Sequence, residues 1–439
     1  MKTKFGKTIA GVALLFCAYG AGGCHGDLDI MQDNKLSASN MWIDESDAET
    51  ATYGIYLYMR DALKSVHDIY LCWGEFRNGL WGAGTNKTLS GVDQTQVRTS
   101  TMSSSNAYAD WSVMYKTVNQ ANLILKHVPE MGISESVRNF SLGNAYFSRA
   151  WCYFWIARIW GDAPLALTGY ESTGGDLYLP RAPKAEIFAR IESDLTEAER
   201  YVTDNSDKAV ATPAAVQMLK ADYALWMYRV AGGGSSYLTM AEKAIEALNL
   251  SASRLESDYA QVFSSTNKLN KEVIFAVHQA NGEAVNGPGD YLGWNSNYVE
   301  AAYQNNPVPI TGGNQWWWYT DRYKALLTSV EGDTRTKLTY NRADYGTTIK
   351  SIEWTEKGVG QMISGARIFD SDFILYRYAE AFLMDAEIKY YRKDYGGALT
   401  ALGEIRVSTL VTMFKKIRLD THETLGFGHV RLPETEMHT

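Results

Sequence analysis

At 439 residues the chain is longer than one compact core usually supports, which favours two lobes or a repeat array. Its formal net charge of −8 excludes the basic footprint that nucleic-acid phosphates require. Aromatic residues make up 13% of it, with 28 Tyr and 13 Trp, a supply of amphipathic rings that suits cores, protein interfaces and sugar-stacking surfaces equally well.

The N-terminal stretch "MKTKFGKTIAGVALLFCAYGAGGC" sets Lys2, Lys4 and Lys7 ahead of an apolar run, Ile9 to Ala18, and small residues ending at Cys24. The run is too short to cross a bilayer and reads as a secretory signal over residues 1–23. Cys24 follows Ala-Gly-Gly, where a bacterial lipoprotein signal is cut, so Cys24 is the expected lipid attachment. The third residue before it is Ala21 rather than the usual Leu, and the alternative is an ordinary secreted protein cleaved nearby. Acyl chains anchor by roughly 0.8 kcal/mol per buried methylene, so several on one Cys suffice for stable membrane attachment. Residues 24–45 are then a lipidated start and polar tether. With Cys17 removed and Cys24 acylated, Cys72 and Cys152 remain. Export permits a disulfide between them, although Cys152 sits in an aromatic helix and reads as a small buried hydrophobe. No CxxC or His/Cys cluster indicates a metal site.

Helical periodicity dominates the chain beyond the tether. "DAETATYGIYLYMRDAL" (47–63) is the first helix. "ADWSVMYKTVNQANLILKHV" (109–128) carries Trp111, Tyr115 and Val118 on one face and ends at Pro129. After a short turn, "SESVRNFSLGNAYFSRAWCYFWIARIWGD" (134–162) runs back along it and stops at Gly161. "APKAEIFARIESDLTEAERYV" begins with Pro183 in its first turn, and "TPAAVQMLKADYALWMYRV" takes Thr212 as N-cap and Pro213 as first helical residue. "SYLTMAEKAIEALNL" (236–250) closes this run, so residues 46–250 read as an N-terminal helical-repeat region. Residues 251–406 are richer in loops, with Gly, Asn, Ser, Tyr and Trp, and "KEVIFAVHQA" as a candidate strand. Near their end "DFILYRYAEAFLMDAEIKYY" puts Tyr378, Phe382, Ala386 and Tyr390 on one helical stripe, and after Gly396-Gly397 "ALTALGEIR" continues as a helix. Paired helices with short turns suggest three or four degenerate tetratricopeptide-like units, with a period of roughly 34 residues. The expected fold is all-α, a helical-repeat scaffold with long irregular loops, and loops of that length commonly carry function.

Seven segments in order resemble the SusD/RagB family of surface glycan-binding lipoproteins: "CHGDLDI", "MWIDESDAETATYGIYLYMRDAL", "YADWSVMYKTVNQANLIL", "NAYFSRAWCYFWIARIWGDAPL", "RAPKAEIFARIESDL", "GDTR" and "ILYRYAEAFLMDAEI". The resemblance implies an all-helical fold of four tetratricopeptide-like units, a loop-built glycan site, and no catalysis or cofactor. It also implies an outer-membrane, outward-facing location and a TonB-dependent SusC-like porin as partner. After Arg406 the similarity stops, and residues 407–439 are expected to be a truncated or divergent tail.

Sugars offer apolar C–H faces ringed by hydroxyls, so a site needs an exposed aromatic platform with amide or charged groups beside it. Trp111, Trp151, Trp155, Trp160 and Trp226 fall in helices and read as structural. Loop tryptophans are the candidates. "CWGEFRNGLWGAG" offers Trp73, Arg77, Asn78 and Trp81. "GDYLGWNSNY" offers Tyr291 and Trp294, and "QWWWY" offers Trp316 and Trp318. The three adjacent indoles cannot share one face. If extended, Trp316 and Trp318 face one way and Trp317 the other, so at least one ring should pin the loop to the scaffold. Glu380 and Asp385 are five apart on a helix and make a poor acid/base pair. An all-helical glycan hydrolase or lyase, and a tetratricopeptide scaffold binding only protein, are the two alternatives.

Overall fold

The computed structural model describes residues 41–66, 69–76, 78–84, 91–172, 177–283, 287–313 and 315–408. The expected signal peptide, Cys24, Arg77 and most of the tail lie outside them. Contacts divide the chain into a unit ending at Ile43 and a second starting at Asp44, and every element below belongs to the second.

Thirteen α-helices occur among the described residues. The first half contains α1 (Glu45–Lys64), α2 (Ile69–Gly74), β1 (Trp81–Ala83), α3 (Val92–Thr99), α4 (Ser112–His127), α5 (Glu135–Trp160), α6 (Lys184–Tyr201), α7 (Pro213–Arg229) and α8 (Ser235–Glu246), with the short strands β2 (Ala163–Pro164) and β3 (Arg181–Ala182) between α5 and α6. The second half opens with α9 (Tyr259–Val262), β4 (Val273–Val277), β5 (Trp317–Tyr319), α10 (Asp321–Leu327) and α11 (Thr334–Thr339). It continues with the short strands β6 (Asn341–Ala343), β7 (Ile352–Trp354), β8 (Gln361–Ile363) and β9 (Ala366–Ile368), and ends with β10 (Phe373–Arg377), α12 (Tyr378–Tyr391) and α13 (Tyr395–Ser408). The strands form only two-stranded ribbons. The architecture is all-α, with successive helices packed as tetratricopeptide-like pairs: α4 on α5, α5 on α6, α7 on α8 and α12 on α13.

Local chemistry sets the helix ends. Asp44 and Asp47 form a reciprocal capping box at the start of α1. Thr212 accepts from the Ala215 N–H at 3.2 Å, with Pro213 as first residue of α7. Gly161 ends α5 at φ +74°, where a side chain would be strained. Gly143, inside α5, is small for a different reason. A Cβ there would lie 2.7 Å from Val202 Cγ2 and 3.1 Å from the Val202 nitrogen, so α5 and the end of α6 can approach closely only over glycine.

The middle of α5 carries the most consequential polar contact. Arg149 donates from Nε and a terminal nitrogen to both oxygens of Asp194 on α6, at 2.8 and 2.7 Å, and from its other terminal nitrogen to Asn122 Oδ1 on α4 at 2.7 Å. Both charges are buried, Asp194 completely. Asn122 Nδ2 in turn donates to the carbonyls of Ala166 and Thr168, tying in the connection after α5. Cys72 and Cys152 are both buried, and no disulfide joins them.

One element departs from the sequence reading. The expected helix over 372–391 begins only at Tyr378. Residues 373–377 form β10, which pairs antiparallel with β4, the strand expected in "KEVIFAVHQA". Phe-Ile-Leu-Tyr-Arg is a run of β-favouring residues, and the entirely buried Val-Ile-Phe-Ala-Val of β4 gives it a partner that local helix propensity does not outweigh. Within α12, Tyr378, Phe382 and Ala386 are buried as the stripe predicted.

Arg149→Leu leaves the Asp194 carboxylate buried without its principal partner and frees the Asn122 oxygen. We expect a loss of roughly 3–5 kcal/mol of unfolding free energy in urea titration. A loss under about 1 kcal/mol would mean that the triad does not hold these helices together.

Candidate functional site

The aromatic segments singled out in the sequence meet in space, two of them through strand pairing. β1 pairs antiparallel with β5 in the register Trp81–Tyr319, Gly82–Trp318 and Ala83–Trp317. The ribbon is extended by Gly84 N–H donating to the Trp316 carbonyl and Thr320 N–H to that of Leu80, each at 2.9 Å. Gly84 is needed here, since a Cβ would fall 1.5 Å from the Gln315 carbonyl oxygen.

The adjacent indoles divide across this ribbon. Trp317 is buried against Ile69, Cys72 and Phe76, its ring stacked on Phe76 with centroids 3.9 Å apart. Its indole N–H is buried without an acceptor, a cost of about 1–3 kcal/mol. Burying a ring of roughly 200 Å² at about 25 cal/mol per Å² contributes about 5 kcal/mol, so packing wins. Trp318 is buried on the other side with Leu292 and Leu327 and donates to Glu353 Oε2 at 2.7 Å. Trp316 does not share a face with Trp318 as the extended reading expected. Gln315 has φ +46°, the strand begins at 317, and the half-buried Trp316 packs against the Trp317 cluster.

Glu353 organises this region. Besides Trp318 it accepts from Tyr340 Oη at 3.0 Å and pairs with Lys324 Nζ at 2.8 Å. Its backbone carbonyl takes the N–H groups of Trp294 and of the Gln315 side chain, at 2.7 and 2.8 Å. Trp294 is therefore fully buried, a core ring with no face free for a ligand, and the same correction applies to Trp318. Trp73 is half-buried, donates to the Tyr108 carbonyl at 2.9 Å and packs on Trp155 and Trp160. Asn78 shapes its turn, donating to Glu75 and accepting from the Leu80 N–H, both at 2.9 Å. Tyr291 is half-buried in a short turn of 3-10 helix at 290–292.

Of these candidates Trp81 lines a cavity of about 460 Å³. Its wall continues through Tyr70, Trp155, Tyr259, Phe263, Tyr319, Tyr323 and Phe373, with Glu75, Lys268, Lys357 and Asp372 as the charged groups. Trp81 packs edge-on to Tyr319 at 4.7 Å and Tyr70 to Phe373 at 5.0 Å. Tyr70 Oη is anchored on the Pro288 carbonyl at 2.7 Å. Two of the four wall charges are matched: Lys268 by Asp370 at 3.1 Å, and Asp372 by His278 at 3.0 Å, which raises the imidazole pKa. Lys357 Nζ lies 4.3 Å from the Phe263 ring centroid. Burial pushes the Tyr259 phenol up, yet Lys357, Arg377 and Arg335 together hold it below its ordinary value. Burial keeps Tyr319 and Tyr323 neutral.

The sequence reading missed Trp155, read as structural because it falls in a helix. It also missed Tyr259 and Phe263, whose i, i+4 spacing after the capping Asp258 was the available signal. Nothing local marked Glu353.

Glu353→Ala strips Trp318, Tyr340 and Lys324 of their shared acceptor. About 3 kcal/mol of stability should be lost, together with the near-ultraviolet dichroism of the packed indoles. Glu380 supplies a pH test. Burial and the nearby Asp222 push its carboxyl up to about 8, against the opposing pull of Arg377 and Arg158. A folded-state value raised above the ordinary 4.5 means that its contribution to stability is full below that value and is lost as pH rises through 8. Glu380→Gln should therefore raise the melting temperature at pH 8.5 and change it little at pH 5. An equal effect at both would remove Glu380 as the titrating group.

A SusD-like family model, described as starch-binding and associating with the outer membrane, matches residues 83–226. SusD-like protein P38 of Formosa agariphila is 27% identical over 180 residues, 41% of this chain and 34% of that protein. A SusD-like protein of Bacteroides ovatus is 26% identical over 174 residues, 38% and 32% of the two chains. The chain spans about a third of the length of these curated relatives. The crystal structure of a SusD superfamily protein from Bacteroides fragilis superposes with a TM-score of 0.71 at 25% identity, covering 84% of this chain and 79% of the other. A laminarin-binding SusD-like protein has the same fold, with a TM-score of 0.68 over 87% of this chain and 90% of its own, at 17% identity. Family model, sequence relatives and fold agree with the motif order in their likeness to the SusD/RagB family.

Proposed function

We propose that this protein is a non-catalytic surface lipoprotein that binds oligosaccharide in the Trp81 cavity and delivers it to a TonB-dependent SusC-like transporter. In this reading Cys24 carries the lipid that holds it on the outer membrane, facing outward. The observation that carries the proposal is the cavity wall. Half-buried indole and phenol rings alternate there with Glu75, Lys357 and the hydroxyls of Ser264, Thr339 and Thr355. Rings stack on sugar C–H faces, and the polar groups satisfy and orient the hydroxyls. The volume falls within the range of small-molecule sites, about 300–1,000 Å³, and fits a short segment of a chain rather than a long one.

Trp81 is the platform in this proposal, with Trp155 beside it. Asn78 holds the turn before Trp81, Trp316 adds a partly exposed ring, and Tyr291 belongs to the loop that follows Pro288; Arg77 remains a proposed ligand contact. The family description supports a glycan ligand and an outer-membrane setting. Glu380, whose raised pKa would suit a general acid, is not in the cavity wall, which favours binding over cleavage.

Calorimetry against a polysaccharide and oligosaccharide panel, with reducing ends assayed in parallel, tests the proposal. We expect saturable binding without release of shorter products, and a loss of tenfold or more in affinity for Trp81→Ala, about 1.4 kcal/mol. Unchanged affinity in that variant would move the site elsewhere, and product release would make the protein an enzyme.

A further inference from the structure

A second cavity of about 440 Å³ lies at the start of α7, apart from the aromatic one. Its wall includes Lys208, Arg254, Asn205, Asn249, Gln217 and Tyr378, and no carboxylate lines it. The cations Arg149, Arg229, Lys268 and Arg377 each face a carboxylate within 3.1 Å. Lys208 instead donates to the Asn270 carbonyl at 2.5 Å, and Arg254 lies over the Tyr378 ring at 5.2 Å. Neither is ion-paired with a carboxylate among the described residues.

Placing two cations around one cavity with no anion between them costs electrostatic energy. Lys208 registers it: its pKa is lowered first by burial and then by repulsion from Arg254, with Glu256 opposing. The backbone adds the same sign. Pro213 has no N–H, and the Thr212 hydroxyl takes that of Ala215. Ala214 lines the cavity and its N–H meets no acceptor among the described residues, so the N-terminal, positive end of the 17-residue α7 borders the cavity. The side-chain amides of Asn205 and Asn249, and the carbonyl oxygen of Gln217, whose Nε2 donates to Glu199 at 2.8 Å, supply groups suited to hydroxyls.

We propose that this cavity binds a small oxyanion-bearing molecule, a carboxylate or a sulfate or phosphate ester of about monosaccharide size. Arg254 and Lys208 hold the charge and the amides hold the remainder. A bare inorganic ion would leave most of the volume to water, whereas an anionic sugar fills it. The proposal does not rest on the aromatic cavity.

The test is calorimetry at physiological salt with glucuronate, glucose 6-sulfate, glucose 6-phosphate and, as the neutral control, glucose. At least one anion should bind saturably and glucose should not. Arg254 is exposed, so Arg254→Gln is expected to fold, and it should weaken that binding tenfold or more, while Arg254→Lys restores part of it. Trp81→Ala should leave it unchanged, which separates this site from the proposed glycan cavity. No saturable binding by any of the three anions, or equal binding by wild type and Arg254→Gln, overturns the proposal.

Discussion

A guanidinium buried among three helices constrains the rest of this structure. Taking Arg149 and Asp194 out of water costs several kcal/mol per ion, and only near-ideal geometry offsets it. The bidentate pair with Asp194 and the third contact to Asn122 supply that geometry. Their directional demands fix α4, α5 and α6 against one another. α5 is the helix that carries Trp155 to the cavity wall and Trp160 against Trp73. The position of the aromatic wall is therefore set two turns away, by a contact that touches no part of the cavity.

Much of the scaffold was legible from sequence because helix signals are local. The Thr212-Pro213 start, the Gly161 stop and the apolar stripe on α12 each state their structure within a turn or two. Residues 373–377 were not legible, because their strand conformation depends on β4, almost a hundred positions earlier. The candidate site was half legible for the same reason. Composition and Gly-rich context located the tryptophan loops, but not which rings would be buried. Trp294 and Trp318 are interior because Glu353 takes up their polar edges. Trp155 faces the cavity because its helix is turned that way by Arg149 and by its neighbours.

The indoles thus have two separate uses that share one vocabulary. Those whose N–H finds a protein acceptor, such as Trp73 on Tyr108 and Trp294 on Glu353, have their polar edge committed and act as pins. Trp317 does the same by stacking alone. Trp81 and Trp155 are held from behind by other rings and keep part of their surface on the cavity. A buried layer of aromatics holding a second, partly exposed layer gives a rigid wall, and a rigid wall loses little conformational entropy when a ligand settles on it.

The β1–β5 ribbon joins positions some 240 residues apart. Closing a chain segment of that length costs about 5 kcal/mol of loop entropy, far more than three strand pairs return on their own. The ribbon therefore cannot nucleate anything. It can form only once the helices between its strands have already drawn them near. During synthesis Trp81 emerges long before Tyr319 exists, and until then one wall of the cavity has no counterpart. Possession of the site is thus a late event in folding, and occupancy of the cavity would report that both strands of the ribbon have met.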